Sequence, residues 1–344
     1  MNKTLTTALA ISALAVNVAG ATSNNTVGGT DNIDANNALA FGTNNTVTGE
    51  NGFAGGNNAT AAGRNSFAFG SHAESLVEYT VAIGNQARVS SYDSVAIGNG
   101  AFVSGESSVA LGRTNNVTGE NSVAIGANNG TVAGGQSAVV GYNNKIGADK
   151  EQLVFGSNSE SSGQGALVFG THAKAVAMDA VAFGNNTIAD KPNAVAIGTN
   201  SVTDDAVGVD GITINGTRHV FAGEQPASVV SFGSKARAGA GGVTQYNRQL
   251  TNVSAGQISA DSLDAVNGSQ LFAAIDEIET NAKAINNNKT AIVKTQNNLK
   301  DLAVGVQMLG DVVSDHEQAI AGHTTAIANN TARINGNTSA INTL

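Results

Sequence analysis

One four-residue phrase recurs through much of the chain and constrains its fold more than any other feature. The phrase is an apolar residue, a small residue, a second apolar residue and a glycine, as at 81–84 and 95–98. Its closing glycines stand 14 residues apart, with two steps of 15: Gly42, Gly56, Gly70, Gly84, Gly98, Gly112, Gly126, Gly141, Gly156, Gly170, Gly184 and Gly198. A short and nearly constant period over twelve copies indicates an architecture of stacked repeats.

The length of the repeat predicts one coil of a β-solenoid, with two strands and two turns. Fourteen residues are too few for a helical hairpin repeat or a propeller blade. Alternate residues of a strand point to opposite faces, so we expect the small middle residue inside the narrow coil and the larger aliphatic residues outside. The inward row is Ala40, Ala54, Ala68, Ala82, Ala96, Ala110, Ala124, Val139, Val154, Val168, Ala182 and Ala196.

The outward aliphatic residues predict an oligomer. Two such residues per coil would form a long exposed apolar surface, which a homo-oligomer packed along it would cover. Gly55 interrupts the apolar pattern of one coil, and the two 15-residue steps surround Val139 and Val154. We therefore expect a less regular oligomer contact at these coils.

Asparagines after the phrase glycine predict turns with left-handed backbone, which this residue tolerates. They are Asn44, Asn45, Asn57, Asn85, Asn99, Asn143, Asn158 and Asn185. A second, less regular glycine turn follows at Gly49, Gly63, Gly105, Gly119 and Gly163.

Composition excludes several classes of function. The 344 residues include no cysteine, and the net charge of −9 argues against binding to nucleic acid or anionic lipid. The five histidines have no metal-ligand spacing, and no glycine-rich segment has the lysine of a phosphate loop. The chain is therefore not expected to be an enzyme or to hold a metal.

The first residues predict a secretory signal. Lys3 precedes an apolar run at 5–18, and Ala19-Gly20-Ala21 supplies the small residues that a signal peptidase reads, so we expect cleavage after Ala21. The alternative, a membrane anchor, would need a longer run to cross a bilayer of about 30 Å. No later segment reaches the ~18 apolar residues of a transmembrane helix.

Beyond Gly198 the repeat gives way to other patterns. Residues 208–223 alternate as a β-hairpin that turns at Asn215-Gly216, which we interpret as an insert. One further repeat-like phrase follows at 229–233, and then the strings R-Q-L-T-N-V-S-A-G at 248–256 and D-A-V-N-G-S-Q-L at 264–271.

A strict heptad then predicts a coiled coil. Every seventh residue is aliphatic: Leu271, Ile278, Ile285, Ile292, Leu299, Val306, Val313, Ile320, Ile327, Ile334 and Ile341. The second core position is mostly polar: Ala274, Asn281, Asn288, Thr295, Leu302, Leu309, His316, His323, Asn330, Asn337 and Leu344. Isoleucine at the first core position and polar residues at the second favour a coiled coil of three helices over one of two. The axis of a trimer is wider and can accommodate polar side chains such as asparagine.

The coil phrase, the hairpin insert and above all the two strings resemble the trimeric autotransporter adhesins with a YadA-like head. The resemblance implies a mainly β head and an α stalk: a trimeric left-handed parallel β-roll of 14-residue repeats, a neck, and a parallel trimeric coiled coil. The expected divisions are a signal peptide at 1–21, the head at 22–203, the insert at 204–228, the neck at 229–270 and the stalk at 271–344. The family's C-terminal membrane anchor is expected to lie beyond Leu344.

The resemblance also implies a function. It predicts a homotrimeric adhesin on the bacterial outer membrane, exported by type V secretion, that binds host-cell receptors such as carcinoembryonic-antigen-related cell adhesion molecules (CEACAM) or matrix proteins such as collagen. A structural role is the alternative, in which heads associate with one another in autoaggregates and biofilm. A phage-type fibre would share the trimeric rod but would not need the signal.

Candidate binding residues lie at the fourth position after each phrase glycine. The third position holds a small residue that is expected to point inward. The fourth position is expected to face outward, and it includes Arg88 and Phe102. With Tyr79 and Tyr92 in the neighbouring linkers, these residues form the candidate receptor site, because exposed aromatic residues are favoured anchors. Tyr92 at the edge of a coil could equally act as a cap.

Polar core layers of the stalk suggest a second kind of site. In the family, asparagines at the second core position hold anions on the three-fold axis, so the resemblance suggests chloride ions at Asn330 and Asn337, and at Asn281 and Asn288, which match its motif less well. Three asparagines that bond one another are an equally good alternative. His316 and His323 are interpreted as polar packing layers, in preference to a metal site.

Overall fold

A computed structural model describes residues 25–27 as backbone, 31–235 and 245–344. The predicted signal at residues 1–21 lies outside the described residues. The chain divides into two compact units, one ending at Thr251 and the other beginning at Asn252. Their architecture confirms a parallel β-solenoid of about twelve turns and a C-terminal helix. The predicted handedness, the trimer and the domain boundaries stay predictions.

The solenoid is built around one long parallel sheet, sheet A, which contains the repeated phrase. Each coil adds one strand in register, so that Ala82 lies between Ala68 and Ala96. The fourteen strands are Asn25–Val27, Leu39–Thr43, Phe53–Asn57, Phe67–Phe69, Val81–Ile83, Val95–Ile97, Val109–Leu111, Val123–Ala127, Ala138–Tyr142, Leu153–Ser157, Leu167–Thr171, Val181–Phe183, Val195–Ile197 and Val230–Ser231. The last strand comes from the isolated phrase at 229–233.

The opposite wall of each coil is a two-residue strand. These strands form sheet B, with eight strands, and sheet C, with four. Sheet B contains Asn32–Ile33, Thr46–Val47, Thr60–Ala61, Glu74–Ser75, Arg88–Val89, Phe102–Val103, Asn116–Val117 and Thr131–Val132. Sheet C contains Lys145–Ile146, Glu160–Ser161, Lys174–Ala175 and Ile188–Ala189.

The predicted inward row is the core of the solenoid. All twelve small residues of the row, from Ala40 to Ala196, are fully buried. Their larger neighbours in sheet A face outward, and Phe41, Phe69 and Phe183 are among those that stay well exposed in the single chain. Aromatic rings on this surface stack between coils, with 4.7 Å between the ring centroids of Phe53 and Phe67.

The turns place their left-handed residue one position later than several predicted asparagines. The second residue after each phrase glycine has positive φ, as at Asn44 (56°) and Asn143 (53°). The prediction was therefore wrong for the asparagines directly after the glycine, which are Asn57, Asn85, Asn99 and Asn185. It was also wrong for Asn45, which is buried and bonds neighbouring coils through its side chain.

The 15-residue coils do not interrupt sheet A, and the expected irregularity of the oligomer contact at these coils stays a prediction. Ile125, Val140 and Phe155 pair in unbroken register. The first long coil takes up its extra residue, Gly130, just before the short strand Thr131–Val132 of the opposite wall. Sheet B ends at this strand, and sheet C begins at the short strand of the following coil. The second long coil takes up its extra residue in the turn before sheet A.

Gln152 fills this longer turn from inside. Its side chain is buried, and its Nε2 donates to the carbonyls of Gly147 at 3.3 Å and Asp149 at 2.6 Å. The turn therefore satisfies backbone carbonyls that the extra residue would otherwise leave without an internal donor.

Ladders of polar side chains run inside the turns, a feature that the repeat pattern did not predict. Asn115, Asn129 and Asn144 form one ladder, in which Asn129 Nδ2 lies 3.2 Å from Asn115 Oδ1 and Asn144 Nδ2 lies 3.0 Å from Asn129 Oδ1. Ser94 and Ser108 begin a second ladder, because the Ser94 hydroxyl accepts the Ser108 amide at 3.1 Å. Buried polar groups are thereby paired from coil to coil.

The predicted insert is an antiparallel hairpin. Its strands are Gly211–Ile214 and Thr217–Val220, and positive φ at both Asn215 and Gly216 gives the backbone of a type I′ turn.

Arg248, from the first neck string, caps the final coil of the solenoid. Its guanidinium donates to the Ser201 hydroxyl at 3.0 Å and to the carbonyls of Thr199 and Phe232. Carbonyls that have no further coil to pair with therefore receive a charged donor.

The second unit contains helix α1, Gly268–Asn342, which begins with a capping box. The Asn267 side chain accepts the Gln270 amide, and the Gln270 side chain accepts the Asn267 amide. Gln270 also bonds both backbone groups of Gly256, which joins the two neck strings. No helix among the described residues is long and apolar enough to span a membrane.

Candidate functional site

The outward side chains of sheets B and C form a continuous strip, which we call the mixed strip. Burial alternates along these strands, since each strip residue is partly or fully exposed and the residue after it is buried. The residue before a strip position is buried in most coils, as predicted, but Gly130, which precedes Thr131, is exposed. The strip residues are Asn32, Thr46, Thr60, Glu74, Arg88, Phe102, Asn116, Thr131, Lys145, Glu160, Lys174 and Ile188. Adjacent strip residues within each of the two sheets are neighbours because the strands are parallel and in register.

Two of the four predicted receptor-binding residues meet on this strip. Arg88 pairs in register with Phe102 on one side and Glu74 on the other. Arg88 Cζ lies 6.0 Å from the centroid of the Phe102 ring, and Arg88 Nε lies 3.2 Å from a carboxylate oxygen of Glu74. The carboxylate and the ring together orient the guanidinium, which leaves an aromatic and cationic patch at the surface.

The two tyrosines lie on the turns between the mixed strip and sheet A. Tyr79 is 49% exposed, and its hydroxyl accepts from Arg64 at 2.9 Å while the Arg64 guanidinium lies 5.6 Å from the ring centroid. Tyr92 is 51% exposed, and its carbonyl accepts from the Ser107 amide of the next coil. Within the described residues no ring contact joins either tyrosine to Phe102, so the four residues do not form one aromatic cluster.

An ion-pair ladder on the strip was not predicted from the sequence. Glu160 lies between Lys145 at 3.0 Å and Lys174 at 3.3 Å. Hydrogen bonding from Lys145, more than that from Lys174, lowers the pKa of Glu160 against the opposing effect of burial. The spacing of these residues by one repeat each is the signal that could have identified them.

Replacement of Glu160 by glutamine should therefore lower the stability of the head in a pH-dependent way. A lowered folded-state pKa means that the carboxylate stabilises the fold above its unfolded-state pKa of about 4.3, and that this stability is lost as pH falls through the folded-state value. We expect Glu160→Gln to cost up to about 1 kcal/mol at pH 7 and almost nothing at low pH.

Denaturant unfolding followed by tyrosine fluorescence would measure this difference. All four tyrosines precede Thr251 and the chain has no tryptophan, so the signal reports the first unit alone. Glu106→Gln is the matched control, because Glu106 makes no ion pair among the described residues. A pH-independent loss in Glu160→Gln would contradict the prediction.

The predicted anion-binding asparagines all lie on α1. Asn281, Asn288, Asn330 and Asn337 are exposed in the single chain, at the register of the second core position. A site on a three-fold axis needs three chains, so anion binding at these layers stays a prediction. Within one described chain, no group of three or more metal-ligating side chains is present.

Two family models match the two parts of this architecture. A model of the YadA head domain repeat matches stretches from residue 34 to residue 205, which are 34–59, 48–73, 78–101, 104–129, 161–187, 175–201 and 189–205. A model of the coiled stalk of trimeric autotransporter adhesin matches residues 249–294.

Similar proteins include autotransporter adhesin BtaE of Brucella suis biovar 1 (strain 1330), which is 42% identical over 90 residues, or 26% of this chain and 11% of that protein. The chain thus spans about a tenth of the length of the curated relative it matches.

Two solved structures are also similar. The C-terminal YadA-like domain of BPSL2063 from Burkholderia pseudomallei is 33% identical over 39% of this chain and 52% of that one, with a TM-score of 0.27. The collagen-binding domain of Yersinia adhesin YadA is 26% identical over 64% of this chain and 87% of that one, with a TM-score of 0.32.

A repetitive parallel solenoid and a heptad-patterned helix define a protein with a β head and an α-helical stalk. The chain belongs to the trimeric autotransporter adhesins. This family consists of adhesins rather than enzymes, its members are exposed at the outer membrane, and it implies a homotrimer.

Proposed function

We propose that this chain attaches bacteria to host surfaces through the mixed strip of its head. The partner is a host-cell receptor such as a CEACAM-type molecule, or a matrix protein such as collagen. One observation carries the proposal: Arg88 and Phe102 form an exposed aromatic and cationic patch on a strip that is otherwise mostly polar. Aromatic residues and arginine dominate the energetic centres of protein interfaces.

The neighbours of this patch fit the rim of an interface. Thr60 lies beyond Glu74 on one side, and Asn116 follows Phe102 on the other. A ring of polar residues that excludes water from a central anchor is the usual arrangement around an energetic centre. The same surroundings keep the patch small, so each head contact is expected to be weak.

Trimerisation would compensate for a weak single contact. Three copies of the patch, each on its own protomer, can engage repeated receptors on one surface. The second and third contacts then form at a high effective concentration, which raises avidity without any new contact. A shallow strip can thus suffice where a small-molecule ligand would need a pocket.

The location of the protein completes the proposal. Residues 1–21 serve as a cleaved signal for export, and the trimer is exposed at the outer membrane.

The test is binding of the purified chain to collagens, other matrix proteins and CEACAM-type ectodomains immobilised on a surface. We expect saturable binding to one of them, weakened roughly tenfold or more by Phe102→Ala. Ile188→Ala is the matched control, because Ile188 is a partly exposed apolar residue of the same strip at a distance from the patch.

Two outcomes would contradict the proposal. Equal losses in Phe102→Ala and Ile188→Ala would show that the patch is not the centre of the site. Absence of binding to every protein, together with self-association of the chain in solution, would favour the alternative role in autoaggregation and biofilm.

A further inference from the structure

Two histidines lie on the core seam of α1, one heptad apart. His316 and His323 follow Val313 and Ile320 by three residues each, at the second core position. The helix is continuous from Gly268 to Asn342, so no break shifts the register between them. The two imidazoles therefore occupy successive layers of the same seam.

The apolar side chains of this seam are exposed to solvent in a single chain. Val313 is 49% exposed and Ile320 is 63% exposed, as expected of core positions that need partner helices. Neither imidazole makes a hydrogen bond in the described part of the chain. Because the family implies a homotrimer, the occupants of this seam are two further copies of α1.

Three parallel helices bring each set of histidines together on the axis. Core side chains of a parallel coiled coil point towards the partner helices, so each layer contains three imidazoles. Three imidazole nitrogens with an open fourth position are a ligand set that zinc accepts, and imidazole also suits nickel and copper. In place of the polar packing layers favoured by the sequence pattern, we propose that the His316 layer and the His323 layer each bind one divalent transition-metal ion, with Zn²⁺ as the best fit.

The residues that follow the histidines can support such a site. Glu317 follows His316, and its carboxylate can accept the second ring N–H, which fixes the tautomer and makes the ligand nitrogen more basic. Thr324 follows His323, and its hydroxyl donates to the Ile320 carbonyl at 2.8 Å, which leaves its lone pairs free to accept. Both layers thus have an acceptor at the same relative position.

The spacing predicts two separate ions. Seven residues of helix rise about 10.5 Å, which is too far for one ion or a bridged pair to serve both layers. The two preceding residues at the second core position, Leu302 and Leu309, are apolar, so the histidines are the first polar residues at this position after them. A bound ion would cross-link the three helices at each histidine layer and stiffen this part of the stalk.

Equilibrium dialysis of the metal-stripped chain against ZnCl₂ at neutral pH tests the proposal. We expect about two zinc ions per three chains, one after His316→Leu or His323→Leu, and none in the double variant. Leucine already fills this core position at Leu302 and Leu309, so the variants should keep the coiled coil. His219→Asn, on the hairpin, is the control and should leave the stoichiometry unchanged.

Circular dichroism at 222 nm supplies a second readout, since α1 is the helix of the described chain. Zinc should raise the helix melting temperature of the wild type and not that of the double variant. Absence of zinc binding at neutral pH, or unchanged stoichiometry in the double variant, would overturn the proposal.

Discussion

Replacement of Gly98 by alanine should destabilise the head by about 3 kcal/mol or more. Gly98 has φ of +138°, a conformation that residues with a Cβ avoid at a cost of roughly 1–3 kcal/mol. A Cβ at this position would also lie 2.1 Å from the backbone carbonyl oxygen of Gly112 in the next coil. The coils would have to separate, which weakens the strand pairing on both sides of the substitution.

The measurement is denaturant unfolding followed by tyrosine fluorescence. Gly100→Ala, in the same turn, is a close control, because Gly100 has φ of +63° and a Cβ added there would lie 3.7 Å from its nearest neighbour, Thr114 Cγ2. The corresponding position in other coils holds residues such as Gln86 and Thr114 in the same conformation, so its cost should be near 1 kcal/mol. Equal effects of the two variants would contradict the steric argument.

The repeat predicts which residues of a coil are buried, but not which turn residues have left-handed backbone. The period placed Gly98 at the end of the phrase and Ala96 inside the coil, because strand alternation relates sequence position directly to burial. The left-handed positions could not be assigned by residue type alone. Asn57 and Asn58 are both asparagines, and only the backbone of the turn decides that Asn58 has positive φ.

The candidate site was predictable to a similar extent. Strand alternation placed Arg88 and Phe102 outside the coil, and the 14-residue period made them neighbours. Tyr79 and Tyr92 lie on the turn that connects the mixed strip to sheet A. The backbone path of this turn decides where they point, and the repeat period does not determine that path. Sequence spacing therefore predicts contacts along a column of coils better than contacts around one coil.

The 15-residue steps show the same limit. The spacing of the phrase glycines shows that two coils each have one extra residue. It does not show which part of the coil accommodates that residue. A gap in sheet A would expose its aliphatic surface, whereas Gly130 interrupts a sheet of two-residue strands, where few backbone hydrogen bonds are lost. The local cost of breaking each ladder decides the position.

Replacement of Asn129 by alanine should also strongly destabilise the head, lowering its free energy of unfolding by roughly 3–5 kcal/mol. Asn129 is buried, and its Nδ2 donates to Asn115 Oδ1 at 3.2 Å and to the carbonyls of Ile125 at 3.2 Å and Gly141 at 3.1 Å. Its Oδ1 accepts from the backbone amide of Asn144 at 3.2 Å and from Asn144 Nδ2 at 3.0 Å. Alanine would leave a cavity and several buried polar groups unpaired.

Alanine does occupy this position in other coils, at Ala73 and Ala87, where the neighbouring coils also carry alanine. The cost therefore arises from interrupting the ladder rather than from alanine itself. Asn116→Ala is the control, since its side chain makes one hydrogen bond, to Thr131 at 3.0 Å, on the exposed strip. Joint replacement of Asn115, Asn129 and Asn144 by alanine should cost less than the sum of the single losses, because the hydrogen bonds between these side chains, which two single variants each break, are then lost only once. Additive losses in the same unfolding assay would show that each asparagine acts independently, and that the ladder is not the source of the stability.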